Sequence, residues 1–395
     1  MGILIPLILV VLSCVIIWRA SDGFAIASDY IGRNLSDGVR GATINAIGSS
    51  LPELFTSLFF LFYLKDVDGF SGGIGTTAGS AIFNSMIIPA AVILVVVFLG
   101  VAKYINVSQK VVRRDGLALV IIELIFIMLI SGSSLDWWHG LFLMIIYFVY
   151  LTYMLFAMER TGELERKKRK AELQEIEYKH IPLLYAILTF DLRRVVLAKN
   201  KINNFNAWPL LIISISAIAF VCFVLVIACE WIGSSHYTIP YLGEFEGLDI
   251  PIMFVAVILA SAASSVPDTI ISMNDARKGN YDDAISNALG SNIFDICFAL
   301  GFPLFLFTLI HGPIHMHQEI INLSGELRML LLLLTVLALL IYVFSKQIGM
   351  RQAIMLLSLY GLFSIYIIGR GVENEFASQI AQGLQNLVNF VNIFN

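Results

Sequence analysis

Two polar interruptions of six residues, Gly48-Ser49-Ser50-Leu51-Pro52-Glu53 and Ala263-Ser264-Ser265-Val266-Pro267-Asp268, break up an otherwise apolar chain. Each sets a carboxylate and two hydroxyls inside what would be a membrane-spanning helix. A charged side chain at the bilayer centre costs about 3 kcal/mol or more, so it faces a protein interior or water and marks function. A proline within a helix removes a backbone donor and clashes with the preceding turn, so Pro52 and Pro267 predict kinks that free carbonyls upstream. In a membrane those carbonyls need a partner, and a cation supplies one. The i,i+4 spacing sets Ser49 on the face of Glu53, with Ser50 beside it, and Ser264 and Ser265 stand likewise one turn before Asp268.

A second polar pair follows each interruption at the same spacing: Ser80 with Asn84, and Ser291 with Asp295. Carboxylates, amides, hydroxyls and carbonyls are hard oxygen ligands suited to calcium and alkali cations. Calcium takes six to eight of them, and this set is large enough. Taken singly, a serine or proline in a membrane helix reads as packing or a benign kink, and Gly79 and Gly290 read as points of close helix contact. The duplication of the whole constellation favours an ion site. Two membrane carboxylates could also form the acid/base dyad of an intramembrane aspartyl protease, but the Gly-x-Gly-Asp signature is absent and Tyr281-Asp282 lies in a polar turn. A passive channel is a further alternative that paired kinks do not exclude.

The elements that must position these groups follow from composition. Of 395 residues, 58% are hydrophobic and 14% charged, the profile of a polytopic membrane protein. At about 20 residues per span, ten candidates appear: 3–21, 38–64, 71–100, 116–132, 138–158, 208–232, 250–273, 284–310, 327–345 and 350–368. With the amino terminus outside, only Lys65, Arg328 and Arg370 of the 25 basic residues fall on outer loops, as the excess of Lys and Arg on cytoplasmic loops requires. The apolar start lacks a basic n-region and a small-residue cleavage site, so it reads as the first span and not as a signal peptide. Cys14, Cys222, Cys229 and Cys297 show no metal-ligand spacing and read as packing residues.

Residues 159–207 form the one long hydrophilic stretch and divide the chain into five-span halves, 1–158 and 208–368, with an outer tail at 369–395. The segment ERTGELERKKRKAELQEIEYKH carries mixed charge at helical spacing. It reads as a cytoplasmic linker with a short helix anchored to anionic lipid, or as a regulatory site. GATINAIGSSLPELFTSLF in the first half matches AVILASAASSVPDTIISMN in the second, and GTTAGSAIFNSMIIPA matches NALGSNIFDICFALGFP. Five spans being an odd number, the second copy enters the bilayer from the opposite side. An all-α protein of ten helices in two inverted five-helix repeats, with interrupted helices at the midplane, is the architecture of a secondary transporter.

Four features lie outside this pattern. Glu123 is an intramembrane acid with no counterpart, either a structural hydrogen-bonding group or part of an ion path. His311, His315 and His317 read as solvated loop histidines. Asn322-Leu323-Ser324 is a glycosylation sequon on the same outer loop. After Arg370 the tail spaces Ile380, Leu384, Leu387, Val388 and Val391 as an amphipathic surface helix.

At the repeated motifs the chain resembles the cation/calcium exchanger superfamily, whose two alpha-repeats share this kinked-helix arrangement. SSVPD, ARKGNYDDAISNALGSNIFD and LGFP are similar to the second repeat of the potassium-dependent sodium/calcium exchangers, and GATINAIGSSLPELFTS with GSAIFN to the first. The repeats would cover about residues 38–100 and 250–310. The resemblance implies an antiporter, not an enzyme, that exchanges sodium for calcium by alternating access, with or without potassium co-transport. A proton-coupled or other divalent-cation exchanger is the alternative within that class. It also implies that Glu53 and Asp268 coordinate calcium with Ser50 and Ser265. Ser49, Ser80, Asn84, Ser264, Ser291 and Asp295, with backbone carbonyls at Ala46 and Ser261, would serve sodium or potassium.

Serine replaces the family's usual threonine at Ser49 and Ser264, and Ala263 replaces a glycine. Asp295 against Asn84 is the charged asymmetry on which potassium turns. Three charges from Glu53, Asp268 and Asp295 would match one calcium plus one potassium, and two would match calcium alone. The expected partners are small cations and the bilayer of a plasma membrane or endomembrane, with no cofactor and no nucleic acid.

Overall fold

Helices carry most of the described residues. A computed structural model describes residues 2–31, 46–157, 182–198, 200–345 and 347–392. The first half contains α1 (Leu4–Ile31), α2 (Ala46–Ser49), α3 (Leu51–Phe59, continued by a π-helical turn over Phe60–Leu64), α4 (Asp66–Phe98), α5 (Gln109–Leu129), β1 (Ser134–Leu135) and α6 (Trp137–Ala157). Short helices α7 (Leu183–Leu188) and α8 (Leu192–Leu197) lead into the second half.

That half begins with α9 (Asn204–Gly233) and a hairpin of β2 (His236–Ile239) and β3 (Gly243–Glu246). Next come α10 (Ile252–Val255), a π-helical turn over Ala256–Ala260, α11 (Ser261–Ser264) and α12 (Val266–Arg277). The chain continues through α13 (Tyr281–Phe294), a π-helical turn over Asp295–Ala299, α14 (Gly301–His311), β4 (Ile314–His315), α15 (Gln318–Phe344), α16 (Met350–Gly371) and α17 (Glu375–Asn392).

Among the described residues seven helices are long and apolar enough to cross a membrane, and an eighth forms if the pair Ile252–Ser264 and Val266–Arg277, bent by 42°, is one span. Two of the ten expected spans are missing from that count for physical reasons. The expected span 38–64 starts among residues outside those described, and its described part, 46–64, is broken at Ser50, which leaves Leu51–Leu64, apolar but short. The expected span 116–132 falls in α5, which carries Arg113, Arg114 and Asp115 in its first two turns and Glu123 at its middle.

Boundaries also move. The expected first span ended at residue 21, ahead of Asp22, yet α1 continues to Ile31 because Gly23, Phe24, Ala27 and Ser28 are buried in the fold. The expected span 327–345 begins nine residues earlier, at Gln318. Arg328 and Asn322, expected on an outer loop, therefore lie within α15.

The 33-residue α4 is the central post, packed by α3, α10, α11, α12, α13, α15 and α16. Its small residues make that possible. A Cβ on Gly79 would sit 2.4 Å from the carbonyl oxygen of Val257, and one on Gly75 would sit 2.8 Å from that of Met253. The two glycines, four apart, thus let a backbone lie directly against α4. On one flank α1 and α9 pack along each other. α9 rests on α3, while α1 rests on α11 and α12.

Loop pairings tie the two halves at the ends of the bundle. β1 pairs antiparallel with β4, Ser134 opposite His315. At other loops Ile105 bridges Ile348, and the Ser108 amide donates to Asp282 Oδ1 at 2.7 Å. The charged segment 159–180 of the expected linker lies outside the described residues. The four cysteines are free thiols, three of them buried. His311, His315 and His317 are exposed and separate, with His311 stacked on Phe307 at 4.5 Å between ring centroids.

Candidate cation site

Both helix breaks fall just before their prolines. Ser50 (φ −99°, ψ 12°) separates α2 from α3, and Ser265 (φ −79°, ψ 2°) separates α11 from α12. Pro52 and Pro267 then occupy the first turn of the new helix, where the missing N–H has no intrahelical partner to lose. Glu53 and Asp268 follow in the same turns, where the helix dipole favours a negative charge. Gly48 ahead of the first break is closely covered by α1, since a Cβ there would lie 2.0 Å from the Phe24 ring.

From α4, Ser80 reaches into the space between the breaks. Its hydroxyl lies 2.8 Å from Asp295 Oδ2, 2.8 Å from Ser265 Oγ and 3.3 Å from Glu53 Oε1. Ser265 Oγ is also 3.3 Å from Glu53 Oε1. One turn along, Asn84 Nδ2 donates to Ser80 Oγ at 3.3 Å and to Asp295 Oδ2 at 3.4 Å. Asp268 Oδ1 accepts from Ser291 at 2.8 Å and from Asn287 at 3.3 Å. Ser49 faces Asp268 across the halves, and Ser264 lies against Glu53. Ser50 faces Asp295 without completing a hydrogen bond.

Glu53, Asp268 and Asp295 are all fully buried. Asp295 starts a π-helical turn, whereas Asn84 sits in regular helix; such turns recur at functional sites because they re-aim side chains. Ser261 turns its hydroxyl to Val257 O at 2.6 Å. Its own carbonyl already accepts from the Ser264 hydroxyl at 3.2 Å and from the Ser265 amide at 3.0 Å. Ala46 opens α2.

Among the described residues, five buried oxygens in this cluster have no hydrogen-bond partner: Ser50 Oγ, Glu53 Oε2, Asn84 Oδ1, Asp268 Oδ2 and Asp295 Oδ1. A buried polar atom left unsatisfied costs about 1–3 kcal/mol, so five together form a strained set that a hard cation would satisfy. Among the described residues no three acid, histidine or cysteine side chains form a compact metal cluster. Hydroxyls and amides make up much of the cluster, a donor set that would suit calcium and alkali ions and not zinc.

Two asparagines escaped the sequence reading. Asn287 donates to Asp268 and, at 3.1 Å, to Ser272 Oγ. Asn292 fastens α13 to α4, donating to Ala81 O at 3.0 Å and to Ser85 Oγ at 2.8 Å. The first was findable, because Asn287, Ser291 and Asp295 continue one i,i+4 stripe just as Thr76, Ser80 and Asn84 do. In the first half Thr76 turns back to Gly72 O at 2.9 Å instead. Glu123 stands apart from the site, accepting from Thr335 of α15 at 2.8 Å.

A family model described as sodium/calcium exchanger protein matches residues 5–156 and 201–369. The chain belongs to that family. Its relatives include an uncharacterized membrane protein of Methanocaldococcus jannaschii, 25% identical over 88% of this chain and 93% of that protein. Human sodium/potassium/calcium exchanger 5 is 26% identical over 72% of this chain, and the match spans 65% of that protein's length. Among solved structures, the sodium-calcium exchanger NCX_Mj superposes with a TM-score of 0.52 at 21% identity, covering 91% of this chain and 98% of the other. The H+/Ca2+ exchanger CAX superposes with a TM-score of 0.60 at 12% identity, covering 99% and 92%. At those identities the superpositions establish a shared exchanger fold. The family members are ion exchangers and not enzymes, which removes the protease reading.

Proposed function

We propose that this exchanger-family protein is a secondary active antiporter that moves calcium against sodium by alternating access. The observation that carries the reading is the set of five unpartnered buried oxygens, drawn from both halves, with Ser80 bonded to Glu53, Asn84 and Asp295 among them. Glu53 and Asp268, with Ser50 and Ser265, supply the calcium ligands. Ser49, Ser80, Asn84, Ser264, Ser291 and Asp295, with carbonyls of Ala46 and Ser261, supply overlapping sodium or potassium ligands. Competition for shared oxygens is what couples the two ions, because neither can bind fully while the other is present.

The cycle would run on ten crossings in two inverted halves, with the amino terminus outside. The loop pairings agree with that count: β1 with β4 joins two loops assigned outside, and Ile105 with Ile348 joins two assigned inside. The α1–α9 pair, resting on both broken helices, is the element whose sliding would expose the site to one face and then the other. Residues 159–207 link the halves on the cytoplasmic side.

Calcium uptake into proteoliposomes tests the proposal. Uptake should follow an opposed sodium gradient, and Glu53→Ala and Asp268→Ala should each reduce it to background while the protein elutes as a folded species. Persistent flux in both variants would remove the site assignment. Adding or omitting potassium reads its co-transport. A second reading, proton coupling, is favoured by three carboxylates in one buried network, where a proton can stand in for a sodium ion; uptake driven by a pH gradient alone would establish it.

A further inference from the structure

The carboxy-terminal helix α17 takes no part in the site, yet its surface is built in three sectors. Ala377, Ala381, Leu384 and Val388 form a buried strip against α15, α16 and α5. On the adjacent quadrant Phe376, Ile380, Leu387 and Phe390 are exposed by 71%, 38%, 44% and 62%. The remaining side carries Gln379, Gln382, Asn386 and Asn389, all exposed. Glu375 is the one charged residue in the helix.

Polar bonds hold the helix across the ends of α15 and α16. The Arg370 guanidinium grips Glu326 through Nε at 3.0 Å and Nη2 at 3.3 Å, and donates from Nη1 to Ser378 at 3.4 Å. Tyr366 donates to the same Glu326 carboxylate. At the far end Gln385 Nε2 donates to Asn322 O at 2.6 Å. The helix therefore runs from the end of α16 to the start of α15, over the bundle end that carries β1 and β4.

We propose that α17 is an in-plane membrane helix whose exposed apolar quadrant is seated at the boundary between acyl chains and headgroups of the bilayer. The partner is identified by continuity. Leu362, Ile365 and Ile368 form an exposed apolar stripe on α16, and the exposed Val372 in the turn that follows joins it in the chain to Phe376 in the first turn of α17. A helix with one apolar quadrant, one packed quadrant and an opposite polar side lies in the interface and does not cross it. Its uncharged polar side needs no anionic lipid, so zwitterionic headgroups suffice.

Single cysteines carrying nitroxide labels, in the full chain reconstituted in phosphatidylcholine liposomes, test this. The native thiols remain in place, three being buried, and the unsubstituted protein provides the background signal. Labels at Phe376→Cys, Ile380→Cys, Leu387→Cys and Phe390→Cys should collide with dissolved oxygen several-fold more than with an aqueous nickel chelate. Gln379→Cys, Gln382→Cys and Asn386→Cys should show the opposite ratio. Aqueous accessibility at all seven positions would overturn the proposal. So would dipolar broadening at Ile380→Cys and Leu387→Cys that vanishes on dilution with unlabelled protein, since a second copy would then cover the face.

Discussion

Among the described residues, Ser80 is the single side chain that touches Glu53 from its own half and both Ser265 and Asp295 from the other. Removing its hydroxyl with Ser80→Ala takes a hydrogen-bonding group from two carboxylates and an acceptor from Asn84. At about 1–3 kcal/mol, apparent calcium affinity should weaken by roughly tenfold or more, measured as radioactive calcium binding to purified protein. Asn292→Ala should behave differently. It cuts the tie between α13 and α4 without removing any of the five unpartnered oxygens, so the melting temperature should fall while calcium binding changes much less. At this scale the acids and hydroxyls were legible because spacing alone puts them on shared faces. Asn287 continues the Ser291–Asp295 stripe one turn back, whereas the partners of Asn292 lie on another helix, to which no spacing points.

The helices explain how two proline motifs become two breaks. Periodicity and proline chemistry locate a disruption near Pro52 and Pro267, but the backbone departs from helix two residues earlier, at Ser50 and Ser265. That shift puts each acid in a helix's first turn. Arg328 was hidden from the sequence in a different way. It looks like a loop cation, yet it is fully buried, donating to Ser324 O at 2.9 Å and to Ile127 O at 2.8 Å. Backbone oxygens from two helices satisfy it, and among the described residues no carboxylate pairs with it.

The neighbouring Glu326–Arg370 pair makes a prediction for the same helices. Truncating one partner of a buried ion pair strands the other, at a cost of about 3–5 kcal/mol; Arg370 keeps some solvent contact, so the lower end applies. Glu326→Ala should therefore lower thermal stability sharply, and the Glu326→Met/Arg370→Met double variant should recover much of the loss in the same thermal-melt assay.

Across the whole molecule, the internal repeat was visible as duplicated strings of letters. The way the two halves are knitted was not. The central position of α4 depends on glycines whose neighbours come from far along the chain, and the pairings of β1 with β4 and of Ile105 with Ile348 join loops that share no pattern. All of these ties are non-covalent, and each is formed by residues outside the charged stretch at 159–180. The uninterrupted peptide is thus one way, and not the only way, of holding the two parts side by side. Two separate polypeptides, ending and beginning within that stretch, should find each other when co-expressed, co-purify as a heterodimer and restore sodium-driven calcium uptake. Neither should transport alone, because Glu53 belongs to one and Asp268 to the other. Failure to co-purify would mean that the connecting segment itself organises the bundle.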